Sequence, residues 1–309
     1  MSSEQTKHQP ICVGIGEILW DLLPKGKVLG GAPGNVVGIA NQLGLKGILV
    51  SSVGDDPLGH EILERIGQKG LDKKGLRVLK DLPTGVVDVT LDSKGVPTFN
   101  IRQPAAWDAI VMDEERRQLA QTASLIVFGT LAQRDPRSQK GIMEFIKAAP
   151  VTCVKVLDVN LRPPFIMESV IRESLELADV LKLNETELPV LAKILGLSGD
   201  ETMQLKALQS RFDLDVIAYT LGPKGSRMIT ATEDISHPFV DAVVVDTVGA
   251  GDSFVAVVAT GMLLGLDISK IQELANRVAA FVCTQVGGTP TLPEELVSVF
   301  RDSTPKRLA

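Results

Sequence analysis

Short apolar runs alternate with amphipathic stretches along most of the chain. Ile11–Ile18, Gly47–Val53, Leu125–Gly129, Val154–Asp158, Val180–Leu183 and Val216–Thr220 are mostly continuous runs rich in β-branched residues. Runs of that length read as strands covered on both faces. Between them, Leu58–Gln68, Asp113–Thr122, Arg137–Ala148, Ile166–Ala178 and Glu201–Arg211 carry apolar residues at helical spacing. Alternation of this kind predicts an α/β fold: a doubly wound, mainly parallel sheet flanked by helices, with right-handed crossovers.

Two stretches break the rhythm. Val86–Ile101 (VVDVTLDSKGVPTFNI) alternates apolar and polar residues, and Asp92–Gly95 in its middle reads as a hairpin turn. Leu19–Gly30 (LWDLLPKGKVLG) is a second irregular extended stretch. Both are expected outside the main sheet, as a small β flap. The C-terminal third reads as helical. Ser269 and Gln272 have capping-box spacing, Ile271, Leu274, Ala275, Val278 and Val282 follow at helical spacing, and Gly287-Gly288 marks the stop. The polar ends, MSSEQTKHQP and RDSTPKRLA, are expected to be loose.

Composition narrows the function classes. The chain has 309 residues, 44% hydrophobic and 23% charged, with a net charge of −6. That length and balance fit one large α/β domain spanning residues 1–309. The acidic balance lacks the electrostatic footprint of a nucleic-acid binder. Cys12, Cys153 and Cys283 sit among apolar residues with no CxxC spacing, so they read as core residues in a reducing compartment. His8, His60 and His237 have no metal-ligand spacing. The longest uncharged apolar stretch, Ser253–Leu266, is too short for a membrane span. The first residues lack the apolar core of a secretory signal. A cytoplasmic protein with no membrane partner is expected.

The candidate chemistry starts at Asp246–Phe254 (DTVGAGDSF). It follows the apolar run Ala242–Val245, read as a strand, and precedes a helix rich in Val and Leu. A strand, a turn of small residues and a helix start make an anion site, because the free N–H groups of the first turn converge. Gly249, Ala250 and Gly251 allow close backbone approach. Neither GxGxxG nor GxxxxGK[ST] occurs here, so a dinucleotide fold or a P-loop is not supported. Asp252 stands out. Asp is a favoured helix-start residue, yet beside a phosphate it also suits a base that takes a proton from an attacking hydroxyl.

A second small-residue loop, Gly30–Asn35 (GGAPGN), is followed by SVGDDPLG, LDVNLRP, LKLNETEL and TLGPKG, and preceded by GEILWD. Together with DTVGAGD, this ordered set resembles the ribokinase, or PfkB, family of sugar kinases over nearly the whole chain. Val37 departs from the small residue usual at that position. The resemblance implies ATP and Mg²⁺ as cofactors, with K⁺ as a further one. It implies Asp252 as general base and Gly249, Ala250 and Gly251, with the Asp252 N–H, as the anion hole. Arg162, in NLRPP beside Asn160, is implied near the phosphates. Asp21, Gly30, Gly31 and Asn35 are implied to bind sugar hydroxyls.

The nucleotide side follows from the same resemblance. Asn184 and Glu187 match a motif that organises Mg²⁺ and the ATP phosphates, through water at Glu187. Their spacing is also that of a capping box. Thr220, Gly222 and Gly225 match the loop beside the nucleotide. Asn276 matches an adenine contact, or else is a polar residue on an exposed helix face. The backbone of Asp246 and Val248, with the Gly287 region, resembles a monovalent cation site. The segments at about 19–32 and 84–104 correspond to the family's β lid, with Phe99, Asn100 and Ile101 touching the sugar. The lids pair between subunits, so a homodimer is expected.

Substrate identity leaves fewer traces. Pro33, Arg162 and the PAAWD block (Pro104–Asp108) resemble fructokinases, so fructose is the expected acceptor. The alternative is a 2-keto-3-deoxygluconate kinase, with Arg102 pairing the substrate carboxylate. A phosphosugar kinase would call on Lys25 and Lys27. A non-catalytic sugar or nucleotide sensor is the reading from another class, and intact Asp252, GAG and NETE argue against it.

Overall fold

Apolar runs without polar faces need cover on both sides, and the computed structural model supplies it. It describes residues 9–24, 26–91 and 97–301. Lys25, the Asp92–Gly95 turn, and the polar ends except Gln9, Pro10 and Arg301 lie outside the described residues, His8 among them. In chain order the strands are β1 (Ile11–Ile15), β2 (Leu19–Leu23), β3 (Gly26–Gly30), β4 (Lys46–Gly54), β5 (Leu76–Leu79), β6 (Gly85–Leu91), β7 (Pro97–Ile101), β8 (Leu125–Gly129), β9 (Val154–Asp158), β10 (Val180–Asn184), β11 (Val216–Thr220), β12 (Ser226–Ile229) and β13 (Asp234–His237). They form a nine-stranded sheet, β13-β12-β11-β10-β9-β8-β1-β4-β5, and a four-stranded sheet, β3-β2-β6-β7.

The large sheet is parallel from β11 through β5. β12 and β13 run antiparallel at one edge. Alternate side chains of β1 enter opposite layers: Cys12 packs on one face, Val13 and Ile15 on the other. The first layer holds helices Ala32–Gln42, Pro57–Gln68, Ala250–Leu264, Ile268–Cys283 and Glu294–Arg301. The second holds Glu114–Thr122, Pro136–Ala148, Glu168–Leu175, Leu188–Leu195 and Glu201–Arg211. This is the doubly wound α/β architecture expected from the alternation. The three cysteines are buried, as core residues. No helix among the described residues is long and apolar enough to cross a membrane.

Four helices start on an aspartate whose carboxylate accepts a first-turn N–H. Asp56 accepts from Gly59, Asp113 from Arg116, Asp135 from Arg137 and Asp200 from Met203, at 2.8–2.9 Å. Each such cap is worth about 1 kcal/mol. Asp113 is therefore a cap rather than the first helical residue.

Several expectations are corrected. Ser269 does not cap: the helix starts at Ile268 after Asp267, and Gln272 turns to donate to the Ser226 carbonyl at 3.0 Å. That helix ends at Cys283, before Gly287-Gly288. The Ile166–Ala178 stretch is helical only over Glu168–Leu175. Ala242–Val245 is not a strand. The N–H groups of Val245 and Asp246 bond to the Cys283 carbonyl, an open acceptor at a helix end, and Val243–Val245 face outward. β5, β12 and β13 are short, partly polar strands that the apolar pattern does not mark.

The two extended stretches build the four-stranded sheet. β2 pairs with β3 antiparallel and with β6 parallel, and β6 pairs with β7 antiparallel. Several contacts pin the sheet to the main body, among them the Lys27–Glu61 pair. Trp20 Nε1 donates to the Leu58 carbonyl at 3.0 Å. Asp56 accepts from both the N–H and the hydroxyl of Thr84, just before β6. Arg134 donates to the Arg102 carbonyl, just after β7, at 2.9 Å.

Candidate functional site

Strand order reverses between β1 and β8: from β1 the chain adds strands outward to β5 on one side and to β11 on the other. Ligands of doubly wound sheets bind at the carboxyl ends of strands at such a reversal. A cavity of about 570 Å³ lies there. Glu17 follows β1, Leu131 follows β8, Asn160 follows β9, and Lys182 comes from β10. The small sheet supplies Leu19, Asp21, Val87, Phe99 and Ile101 as the opposite wall. Gly249, Gly251 and Asp252 form the floor, at the start of helix Ala250–Leu264.

The floor is shaped by glycine. Gly249 caps the helix in the left-handed region, φ 79°, and a Cβ there would overlap the backbone of Gly288. The first intrahelical bond runs from Ser253 N–H to the Gly249 carbonyl at 2.8 Å. The N–H groups of Ala250, Gly251 and Asp252 therefore precede the helical ladder, and Ala250 makes a long turn contact to the Thr247 carbonyl at 3.3 Å.

Asp252 sits beside them. Its Oδ2 accepts from Asn35 Nδ2 at 2.7 Å. Burial pushes its pKa up to about 6, against the Asn35 bond; Asp158 adds to the rise, and Lys182 and Arg162 oppose it. Asn35 stands in the first turn of helix Ala32–Gln42, with Gly288 close behind its amide. Gly31 has φ 113°, and a Cβ there would lie 2.5 Å from the Glu17 carbonyl. Asp21, on β2, lies against Gly30, whose missing side chain makes room for it. Burial raises the Asp21 pKa to about 6, and Arg162 opposes this. The departure at Val37 is absorbed in the core, where the side chain is fully buried near Gly14.

Eleven of the sequence-derived residues thus line one cavity: Asp21, Gly30, Gly31, Asn35, Phe99, Ile101, Arg162, Val248, Gly249, Gly251 and Asp252. Ala250 is their chain neighbour. The Arg162 guanidinium donates to the Leu161 carbonyl at 3.2 Å and its charge acts on Glu17, Asp21 and Asp252.

The remaining residues lie along the strand ends beyond the cavity. Asn184 and Thr220 are register partners at the ends of β10 and β11, and Gly222 and Gly225 shape the next turn with φ 54° and 98°. Asn184 Oδ1 accepts from the N–H groups of Thr186 and Glu187, and Glu187 Oε2 accepts from Asn184 N–H at 2.8 Å, a reciprocal box. Glu187 Oε1 accepts from Leu161 N–H at 2.9 Å. Both oxygens of this buried carboxylate therefore hold backbone, and Glu187 braces β10 to the Arg162 loop, with the Lys182 charge nearby. Among the described residues, no group of three or more His, Cys, Asp or Glu side chains is arranged to hold a metal.

Asp246 clasps two loops, accepting from Val248 N–H at 3.0 Å and Gly287 N–H at 3.1 Å. Of the two readings of Asn276, the exposed face is overturned. Only 7% exposed, its amide donates to Ser226 Oγ and to the Gln272 carbonyl, both at 2.8 Å, so it joins the helix to β12 rather than lying on an open face. The PAAWD block lies in the buried base of the small sheet. Trp107 is buried under the Arg134 guanidinium, and Asp108 pairs with that Arg134 at 2.8 Å, so the block anchors the small sheet.

Two charged residues of the cavity were missed by sequence. Glu17, 4% exposed, accepts from Ala32 N–H at 3.2 Å through Oε1, while Oε2 has no hydrogen-bond partner. Burial lifts its pKa to about 7. Lys182, 6% exposed, pairs with Asp158 at 3.1 Å. Burial works against its charge, but Asp158, Glu187 and Asp252 hold its pKa above the usual lysine range. Glu17 lies inside GEILWD and Lys182 inside LKLNETEL, so the signal was one charge set in each apolar run.

The pattern for pfkB family carbohydrate kinases matches residues 26–295, a span that holds both glycine loops and the Asp252 floor. The chain belongs to the pfkB family. Among curated relatives of this kinase, a sugar kinase of Pyrococcus horikoshii is 31% identical over 300 residues, covering 91% of this chain and 92% of the relative. Its crystal structure, titled as that of an uncharacterized sugar kinase, superposes with a TM-score of 0.81, covering 93% of this chain and 97% of that one. A fructokinase of Klebsiella pneumoniae is 31% identical over 302 residues, covering 90% and 95%. The 2-dehydro-3-deoxygluconokinase of Thermotoga maritima shares the fold, with a TM-score of 0.82 at 20% identity, covering 95% and 98%.

Proposed function

We propose that this carbohydrate kinase transfers the γ-phosphoryl group of MgATP to a hydroxyl of fructose, giving fructose 6-phosphate, with Asp252 as the general base. The observation that carries the reading is Asp252 itself: a carboxylate at a glycine-built helix start, in a cavity with room for a sugar and more. Its carboxylate takes the proton of the 6-hydroxyl. That oxygen forms the new bond to phosphorus, the bond to the β-phosphate oxygen breaks, and ADP leaves. The N–H groups of Ala250, Gly251 and Asp252 stabilise charge on the transferred group. Asp21 and Asn35 hold sugar hydroxyls, and Phe99 and Ile101 close the small sheet over them as a lid that excludes water.

ATP as donor is supported by the crystal structure of the Pyrococcus horikoshii relative in complex with ATP. The nucleotide lies along Asn184, Thr220, Gly222 and Gly225, with the outward-facing Val243, Val244 and Val245 (84%, 53% and 61% exposed) as the apolar cover for its base. Mg²⁺ would be held by the ATP phosphates and water, on the side of Asn184 and Glu187, and would offset phosphate charge. K⁺ would be held by the backbone around Asp246 and Val248. Two copies pair through the lid, which sedimentation measures; a monomer at working concentration counts against that pairing.

Arg102 speaks for a neutral sugar. It forms a two-point pair with Asp88, at 2.8 and 2.6 Å, within the small sheet. The second reading, a 2-keto-3-deoxygluconate kinase, is supported by the fold neighbour from Thermotoga maritima and needs Arg102 to leave Asp88.

The test is ADP release with MgATP and K⁺ against fructose, 2-keto-3-deoxygluconate, ribose, adenosine and fructose phosphates. Fructose is expected to give the highest kcat/KM. Asp252→Asn is expected to lower kcat by about 100- to 10,000-fold with ATP binding retained. An Asp252→Asn enzyme with most of its activity overturns the mechanism. Silence across the panel with ATP bound favours the sensor reading.

A further inference from the structure

The proton transfer and the backbone donors leave one buried cation of the cavity without a task. Lys182 Nζ lies 3.1 and 3.4 Å from the two carboxylate oxygens of Asp158. An ion pair this deep carries a desolvation penalty of several kcal/mol and is weak evidence of a purely stabilising role. Its surroundings are specific. Lys182 borders the same cavity as Gly251 and Asp252, and a Cβ placed on Gly251 would lie 3.4 Å from Nζ. The ammonium therefore sits against the first turn of the helix, where the N–H groups that precede the ladder converge.

Charge balance sharpens the point. Glu17, Asp21 and Asp252 line the cavity, and the cations that share it are Arg162 and Lys182. A phosphoryl group entering beside Asp252 meets a carboxylate at close range, and partial charges on backbone N–H groups oppose a full negative charge. A second full positive charge on that floor is what such a group requires. An ammonium has three donors in rotatable directions. Asp158 engages one side of it, and Gly251, with no side chain, leaves the cavity side open.

We propose that Lys182 is a catalytic residue whose ammonium contacts an oxygen of the transferred phosphoryl group beside Gly251, with Asp158 as the residue that positions it. Lys182 keeps its proton throughout; it adds a full charge where the helix start adds partial ones. The inference rests on the phosphotransfer reading above.

Lys182→Met alone leaves Asp158 buried without its partner, which breaks folds. The comparison is therefore K182M/D158N, a neutral pair, against D158N, whose ammonium keeps the charges of Glu187 and Asp252 beside it; thermal unfolding of both shows that they are folded. The double variant is expected to have kcat about 100- to 1,000-fold below that of D158N, the loss typical of one preorganised donor. KM for the sugar should stay within about threefold, because the contact is to the phosphoryl group and not to the sugar. The second readout is binding of ADP with and without beryllium fluoride, a mimic of the γ-phosphoryl group. Beryllium fluoride should tighten ADP binding to wild type and D158N, and fail to do so in K182M/D158N.

A kcat equal to that of D158N overturns the proposal. So does a lowered kcat with the beryllium fluoride effect intact, because Lys182 would then act through Asp158 or Asp252. If wild type phosphorylates no sugar but the beryllium fluoride effect depends on Lys182, the kinase reading fails and the phosphoryl contact stands.

Discussion

Asn35 Nδ2 donates to Asp252 Oδ2 at 2.7 Å, joining residues 217 positions apart. The bond connects the first turns of two helices, one from each glycine loop. It also bears on the base. A donor to a carboxylate favours the charged form, so Asn35 holds the Asp252 pKa below the level that burial alone would set.

Asn35→Ala is expected to raise the Asp252 pKa further above its value of about 6. The base works as the carboxylate, so kcat/KM of wild type should climb through about pH 6 and level off above it. In Asn35→Ala that limb moves to higher pH, and the loss at pH 6 exceeds the loss at pH 8.5. Glu17 and Asp21 titrate in the same region, at about 7 and 6, but neither bonds Asn35. A pH–rate profile checks this; an unshifted limb would mean that another group controls it.

The floor itself can be tested at Gly249. An alanine there must hold φ near 79° with its Cβ inside the Gly288 backbone. The strained backbone and the overlap together should destabilise the fold by about 2–4 kcal/mol. The helix start moves with the strain, so kcat should fall by more than about tenfold. Thermal unfolding and steady-state kinetics read the two effects separately. Normal stability and turnover would show that the turn tolerates a side chain.

Much of this site was legible because its turns are made of small residues at set positions. GGAPGN and DTVGAGD mark the places where backbone must come close, and the structure brings them to opposite sides of the Asn35–Asp252 bond. The small sheet was legible because Val86–Ile101 alternates where its neighbours do not. Lys182 was not legible. One charge inside an apolar strand acquires meaning only when β9 lies beside β10 and carries Asp158. The exposed-face reading of Asn276 failed for a related reason: helical spacing gives a periodic face, but the depth of its edge depends on β12. Ala242–Val245 misled because a valine run reads as buried strand, and here it lies against a helix end with its side chains outward.

Asp56 links the small sheet to the main body and makes a pH prediction. Its carboxylate caps helix Pro57–Gln68 and accepts from the N–H and hydroxyl of Thr84. Partial burial works to raise its pKa, but the bonds from Thr84, Gly59 and Leu58 outweigh it and hold the carboxyl below the usual range. A depressed folded pKa gives stability that is present above the unfolded value and is lost as pH falls through the folded one. Asp56→Ala should therefore destabilise by about 2 kcal/mol at neutral pH, from the cap and the Thr84 bonds. The gap to wild type should narrow as pH drops below the usual carboxylate range. Denaturant melts at several pH values check both parts, and a gap that widens in acid would contradict the assignment.

Substrate class turns on Arg102 and Asp88. The two close into a fork between β6 and the residue just after β7, near Asn100 and next to Ile101. For a neutral sugar that pair is scaffolding at an exposed position, and Arg102→Ala should change kcat/KM for fructose by less than about threefold. For a substrate with a carboxylate, the guanidinium would have to release Asp88 and form an equivalent charged pair with substrate. Arg102→Ala would then lower kcat/KM for 2-keto-3-deoxygluconate by more than about tenfold and leave fructose turnover unchanged. Measuring both substrates on wild type and Arg102→Ala separates the two. A large loss confined to the acid would move the assignment to the acid sugar, and a large loss on fructose would show that Arg102 shapes the lid for any acceptor.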